Sequence, residues 1–219
     1  MLKAILMDFN GVILDDEPFH LELYQRILLS YRISLTKESY YQKYLVLNDE
    51  ECFRQIFNDQ KNPIGKRQLS SCVQKKRRLY QKEIGDRLIF FPGVVHFIQR
   101  ASRCYKMAIV SGARRSEITT ALEHIQILQH FKVIVSADDV TYGKPNPEGL
   151  YLACTQLNEQ PEHCLVIEDA VGGIEMAHHA GMKCIAITNS YPAKKLKKAD
   201  LVIESFQPLP FSQIERLFL

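Results

Sequence analysis

Leu2-Lys3-Ala4-Ile5-Leu6-Met7-Asp8-Phe9 is a short apolar run that meets a carboxylate near its end. That is the pattern of a buried parallel strand delivering one acidic side chain to the edge of a sheet. The format returns at residues 106–112 (KMAIVSG), 132–138 (KVIVSAD), 164–170 (CLVIEDA) and 183–189 (KCIAITN), and more weakly in ADLVIES from Ala199. Helical stretches fall between them. Ser116 opens one that runs to about His130, and Asn146 or Pro147 opens the next, proline being well suited to a first helical turn. Strand and helix in alternation predict an α/β fold with a three-layer, Rossmann-like parallel sheet and helices on both faces.

One interval breaks this rhythm. Residues 16–84 carry no good strand pattern, while Leu21, Tyr24 and Leu28, then Leu69, Cys72, Val73 and Tyr80, recur at three-, four- and seven-residue steps. These steps predict amphipathic helices, interrupted at Asn62-Pro63-Ile64-Gly65. The expected organisation is therefore an α/β core made of residues 1–15 and 85–219, with an all-α helical cap inserted as residues 16–84.

Composition narrows the function. The 219 residues are 46% hydrophobic and 24% charged, as in an ordinary globular protein, which disfavours disorder and fibrous classes. A net charge of +3 is too small for a dedicated nucleic-acid binder. Its distribution is uneven, because residues 16–84 hold 13 Lys and Arg against 9 Asp and Glu. That makes a basic lid suited to an anionic substrate. Lys75-Lys76-Arg77-Arg78 and Lys194 to Lys198 lack aromatic interleaving and read as solvated surface. The six cysteines, at 52, 72, 104, 154, 164 and 184, form no C-x-x-C pair and read as buried thiols of a reducing compartment. The N-terminal run lacks the features of a signal peptide, and no stretch reaches the ~18 apolar residues of a membrane span. A cytoplasmic monomer that binds neither membrane nor nucleic acid is expected.

In open α/β sheets the ligand site lies beyond the carboxyl ends of the strands. Those ends supply Asp8, Ser111-Gly112, Lys144 shortly after a strand, and Glu168-Asp169. Two carboxylate sites suit a hard divalent cation such as Mg²⁺. The hydroxyl, the free amides ahead of a helix and the lysine suit a phosphate. A carboxylate nucleophile, a metal and a phosphate cradle together describe phosphoryl transfer through an aspartyl-phosphate.

The ordered set Asp8-Phe9-Asn10-Gly11-Val12, Ser111-Gly112, Lys144-Pro145 and Glu168-Asp169 with Gly172-Gly173 resembles the four motifs of the haloacid dehalogenase superfamily. The helical insertion, the segment containing Asp15, Glu17, Pro18 and His20, and Ala180-Gly181-Met182 are similar to its β-phosphoglucomutase-like branch, which includes sugar-phosphate phosphatases and mutases. The resemblance implies that Asp8 is the nucleophile. It implies Mg²⁺ on the Asp8 carboxylate, the Asn10 main-chain carbonyl and Asp169, with Glu168 just behind. It also implies that Ser111, the Gly112 and Ala113 amides and Lys144 bind the transferring phosphoryl group, and that His20 stands at the hinge between core and cap.

Three positions depart from the family pattern. Family phosphatases and mutases carry Asp where this chain has Asn10, to protonate the leaving oxygen and then activate water. Asn keeps the shape but exchanges no proton near neutral pH, which costs about 10²–10⁴ in rate. An engineered trap that holds substrate or the phospho-enzyme, a natural protein with weak or no turnover, and deamidation at Asn10-Gly11 are the three readings of that departure. Where the mutase holds a second phosphate with Arg, the stretch Val46-Leu47-Asn48-Asp49-Glu50-Glu51 is acidic; its alternative reading is a helix's first turn, where carboxylates are favourable. Asp16 replaces the usual hydroxyl residue before Glu17.

The leading expectation is a Mg²⁺-dependent phosphatase of a small phosphorylated metabolite, impaired by Asn10. The alternatives are a phosphosugar mutase and a non-catalytic phosphometabolite-binding protein. A receiver-like signalling domain is disfavoured by the first-strand Asp8 and the large insertion. A dinucleotide oxidoreductase is disfavoured because no G-x-G-x-x-G follows the first strand.

Overall fold

A computed structural model describes residues 1–45, 47–207 and 209–219, with the backbone alone at Asp86. Val46, the first residue of the acidic stretch, lies outside the described residues. The chain divides into two compact units, Met1–Asp15 with Ile89–Leu219, and Asp16–Leu88.

The first unit is built on six parallel strands: β1 (Ala4–Met7), β2 (Lys106–Val110), β3 (Val133–Val135), β4 (Cys164–Glu168), β5 (Lys183–Ile187) and β6 (Leu201–Ile203), in the order β3-β2-β1-β4-β5-β6. Strand β1 is buried throughout, which explains its unbroken apolar run, since helices cover both faces of a parallel sheet. Its register sets Met7 opposite Ile109 of β2 on one side and Ile167 of β4 on the other. The next residues along these three strands are Asp8, Val110 and Glu168, with Ser111 one step beyond Val110 and Asp169 one step beyond Glu168, so the acidic and hydroxyl groups emerge together at one sheet edge. Strand order reverses at β1, where a crevice for ligands opens.

Two helices differ from the sequence expectation. Helix α6 (Arg115–His124) stops short of His130. Gln126 takes φ +56°, reversing the chain so that Ile127 enters the core, and one 3-10 turn at Leu128–His130 follows. Helix α7 (Glu148–Leu157) has Pro147 as its N-cap and starts just after the expected position. Of the six thiols, Cys104 is exposed rather than buried, because it follows the end of helix α5 (Val94–Ala101), where the chain turns toward β2. The unit is completed by α8 (Val171–His179), α9 (Ala193–Leu196) and α10 (Phe211–Glu215).

Where the chain leaves and re-enters this unit, its two strands of backbone are pinned to each other. The Asp15 amide donates to the Ile89 carbonyl at 2.7 Å and the Phe91 amide to the Ile13 carbonyl at 3.2 Å. Between them, Leu14 and Phe90 form an antiparallel bridge.

The second unit is all-helical, with α1 (Glu17–Leu28), a short α2 (Lys37–Ser39), α3 (Asp49–Asp59) and α4 (Lys66–Glu83). Leu28, Phe53, Ile56, Phe57 and Cys72 form its dry core. Asn48 and Glu51 cap α3 reciprocally, so the acidic stretch does open a helix. The basic run on α4 is not wholly solvated. Lys75, Arg77 and Arg78 are exposed, but Lys76 is only 3% exposed. Helical spacing turns one residue of the four inward, alongside Cys72 and Tyr80. Among the described residues, no helix is long and apolar enough to cross a membrane.

Candidate active site

Asp8, Glu168 and Asp169 converge at the carboxyl ends of β1 and β4. All three are buried, and one carboxylate oxygen from each lies within 4.8 Å of the others. Lys144 meets them from the loop ahead of α7. Its Nζ is 2.8 Å from Asp8 Oδ2 and also pairs with Glu168 Oε1. The other oxygen of Glu168 accepts the amides of Asp169 at 2.9 Å and Ala170 at 3.0 Å. Glu168 is therefore saturated with donors, and it acts as a post that holds Lys144 and the turn after β4.

Two glycines make this crowding possible. Gly11 lies at φ +77°, and a Cβ there would enter the Asp169 carboxylate. A Cβ at Gly173, in the first turn of α8, would overlap the Glu168 carboxyl group. Gly173→Ala is therefore expected to cost about 1–3 kcal/mol through overpacking, read as a lower midpoint in urea unfolding. An unchanged midpoint would contradict the packing described.

Electrostatics define what the cluster lacks. Three buried carboxylates face one ammonium. Burial pushes the Asp8 carboxyl above its ordinary value, with Lys144 opposing that rise and Glu168 reinforcing it. Asp169 is raised well above the usual carboxylate range by burial, then by Glu168 and Asp8. Lys144 is held above an ordinary lysine because Asp8 and Glu168 outweigh the effect of burying its charge. Asp8 Oδ1 is buried and has no hydrogen-bond partner among the described residues. An all-oxygen set with excess negative charge and an orphaned carboxylate oxygen fits a hard divalent cation such as Mg²⁺.

Beside it, Ser111 directly follows β2, and its hydroxyl accepts the Ala113 amide at 3.3 Å. The amides of residues 112 and 113 precede the N-terminus of α6, where backbone dipoles favour an anion. Ser111, Gly112 and Lys144 border a cavity of about 250 Å³. The structure thus brings Asp8, Ser111, Gly112, Ala113, Lys144, Glu168 and Asp169 to one sheet edge.

Asn10 forms a bridge with Leu14 in the loop after β1. Two neighbours there are not singled out by the sequence. Asn189 donates its side-chain amide to the Gly11 carbonyl at 2.7 Å, and the Ser190 hydroxyl donates to Asp169 Oδ2. Their position just past β5, at the same edge as Asp8 and Asp169, was the available signal; polar residues after a strand otherwise read as an ordinary turn.

His20 lies in the helical unit on α1, within a partly buried polar chain. Lys76 Nζ donates to His20 Nδ1 at 2.8 Å and to Asp49 Oδ1 at 2.5 Å, and it sits 4.4 Å from the Tyr24 ring centroid. An ammonium has no acceptor to offer, so His20 accepts at Nδ1 and donates from Nε2 to Asp16 Oδ2 at 3.0 Å. Burial raises the Asp49 carboxyl, but Lys76 outweighs it and holds it below its ordinary value. Removing one partner of a buried ion pair costs ~3–5 kcal/mol, and Lys76→Met is expected to cost about 2 kcal/mol because Asp49 keeps some solvent contact. Thermal unfolding checks this value. No loss of stability would show that Lys76 is not structurally engaged.

Similarity to known proteins agrees with this geometry. The sequence profile of haloacid dehalogenase-like hydrolases matches residues 5–187. The chain belongs to the haloacid dehalogenase-like hydrolase family. It is 33% identical to YhcW of Bacillus subtilis (strain 168) over 191 residues, covering 86% of this chain and 84% of that one. It is 27% identical over 188 residues to a phosphorylated carbohydrates phosphatase of Thermotoga maritima, covering 84% of each. Among solved structures, β-phosphoglucomutase from Clostridium difficile superposes with a TM-score of 0.79 at 23% identity, over 100% of this chain and 97% of that one. This haloacid dehalogenase-like fold thus holds for the whole length, with the parallel sheet expected from the sequence.

Proposed function

We propose that this haloacid dehalogenase-like protein is a Mg²⁺-dependent phosphatase of a small phosphorylated metabolite, slowed by Asn10. The observation that carries the reading is the meeting of Asp8 with Lys144 at 2.8 Å, beside Asp169 and the cavity bordered by Ser111 and Gly112. The T. maritima relative, a phosphatase of phosphorylated carbohydrates, supports a sugar phosphate as the substrate class.

In the first half-reaction a carboxylate oxygen of Asp8 attacks phosphorus. The bond to the leaving oxygen breaks, and the departing alkoxide takes a proton. In the second, water attacks the same phosphorus, releasing inorganic phosphate and regenerating the Asp8 carboxylate. Ser111, the Gly112 and Ala113 amides and Lys144 hold the phosphoryl oxygens, and Lys144 offsets the repulsion between Asp8 and its anionic target. Glu168 keeps Lys144 in place. Asp8, Asp169 and the Asn10 carbonyl would hold Mg²⁺, which supplies further charge neutralisation at the phosphoryl group. Asn10 can hydrogen-bond to the leaving oxygen or to water but moves no proton for either, so the first half-reaction draws its proton from solvent and the second releases one to solvent.

Hydrolysis is favoured over a mutase because the stretch where a mutase holds a second phosphate with Arg is acidic here, at Asp49, Glu50 and Glu51. The test is phosphate release from a panel of sugar phosphates, phosphoglycolate and nucleotides, first in Mg²⁺ and then in EDTA. Release that EDTA abolishes and added Mg²⁺ restores is the expected result. Release indifferent to EDTA, or none from any substrate even after Asn10→Asp, would overturn the reading.

A further inference from the structure

Asn189 and Ser190 are consecutive residues just past β5, and each reaches a different loop of the candidate active site. Asn189 Nδ2 donates to the Gly11 carbonyl at 2.7 Å, one residue beyond Asn10. Ser190 Oγ donates to Asp169 Oδ2. Since β5 borders β4 and β4 borders β1, one short stretch of backbone clasps the two loops that follow the neighbouring strands.

We infer that Asn189 and Ser190 form a clip that presets the cation-binding carboxylates, with Ser190 as a positioning residue for Asp169. A carboxylate has two equivalent oxygens and a freely turning plane until something fixes it. The Ser190 hydroxyl fixes Oδ2 and leaves Oδ1 available to a cation. The donor is also neutral, so it orients the Asp169 carboxyl group without placing a second cation in competition for it. Asn189 acts on the other side, fixing the Gly11–Val12 peptide, the next one along from the Asn10 carbonyl, and so restricting the loop that carries that carbonyl. Groups that orient metal ligands typically account for about 10–100-fold in affinity.

This inference rests on the metal site of the proposed function, and the experiment separates the two. Mg²⁺ binding is measured by calorimetry for the unaltered protein, Ser190→Ala, Ser190→Thr and Asn189→Ala, alongside melting of each without metal. Ser190→Ala is expected to bind Mg²⁺ about 10–100-fold more weakly, with Ser190→Thr recovering most of the affinity through its hydroxyl. Asn189→Ala is expected to weaken binding in the same direction. The metal-free melting temperatures should stay together, which a merely structural role would not produce. Equal Mg²⁺ affinity in the unaltered protein, Ser190→Ala and Asn189→Ala would overturn the clip and leave the phosphatase reading standing. Weakening in Ser190→Thr as large as in Ser190→Ala would likewise overturn the role of the hydroxyl. No Mg²⁺ binding by the unaltered protein would overturn both the clip and the metal site on which it depends.

Discussion

Asn10→Asp is expected to raise the rate of phosphate release by about 10²–10⁴-fold, the usual worth of a general acid/base. The change is isosteric, and residue 10 is to meet the cation through its main chain, so Mg²⁺ affinity should stay nearly constant while turnover rises. Both half-reactions gain, because the carboxyl protonates the leaving oxygen and its conjugate base then takes a proton from water. The pH profile should therefore acquire an alkaline limb, as the acid form is lost, that the Asn10 protein lacks. Steady-state rates on one substrate at saturating Mg²⁺ provide the measurement, with peptide mapping to show that residue 10 is still Asn in the comparison sample. Equal rates in the two proteins would remove residue 10 from the chemistry. A sample already converted to Asp would instead identify deamidation as the route by which this chain gains its acid/base.

In the Asn10→Asp background, Asp8→Asn is expected to lower turnover by at least about 10⁴-fold, as loss of a nucleophile does elsewhere. An amide is a poor nucleophile toward phosphorus, and the two carboxylates beside Asp8 are already engaged. Glu168 is saturated by Lys144 and two amides, and Asp169 is engaged by Ser190. The expected effect on stability has the opposite sign. Burial already pushes the Asp8 carboxyl upward, so its charge is strained in the metal-free protein, and a neutral amide of the same shape relieves that strain. Melting temperature without Mg²⁺ should hold or rise while activity vanishes, and no acid-stable covalent phosphate should remain on the protein. Residual turnover within tenfold of the parent would mean that water attacks the substrate directly and that Asp8 serves only as a ligand.

The strand ends were the most legible part of the sequence. Asp8 closes an apolar run, and a carboxylate in that place is visible without any partner. Ser111 and Glu168-Asp169 were visible for the same reason, and parallel register then brings them together with no further information. Gly11 and Gly173 were visible as residues but not as necessities, because the atoms that exclude a side chain there belong to Asp169 and Glu168. What stayed hidden depends on pairing between distant positions. Asn189 meets a carbonyl 178 residues away, and nothing about Asn after a strand announces it. Lys76 sat in a run of four cations that looked solvated. Its inward turn is set by Asp49, 27 residues earlier, and by the aromatic face of Tyr24.

The antiparallel bridge between Leu14 and Phe90, with hydrogen bonds from Asp15 and Phe91 on either side, bears on how such a chain can change over time. It brings together the two ends of a segment more than 70 residues long. The entropy of closing such a loop grows only with the logarithm of its length. Lengthening, shortening or exchanging the segment therefore perturbs the sheet by a few tenths of a kcal/mol per modest change. The stitch lets the strand ends that carry Asp8, Ser111 and Asp169 stay fixed while the segment between residues 16 and 88 is free to change.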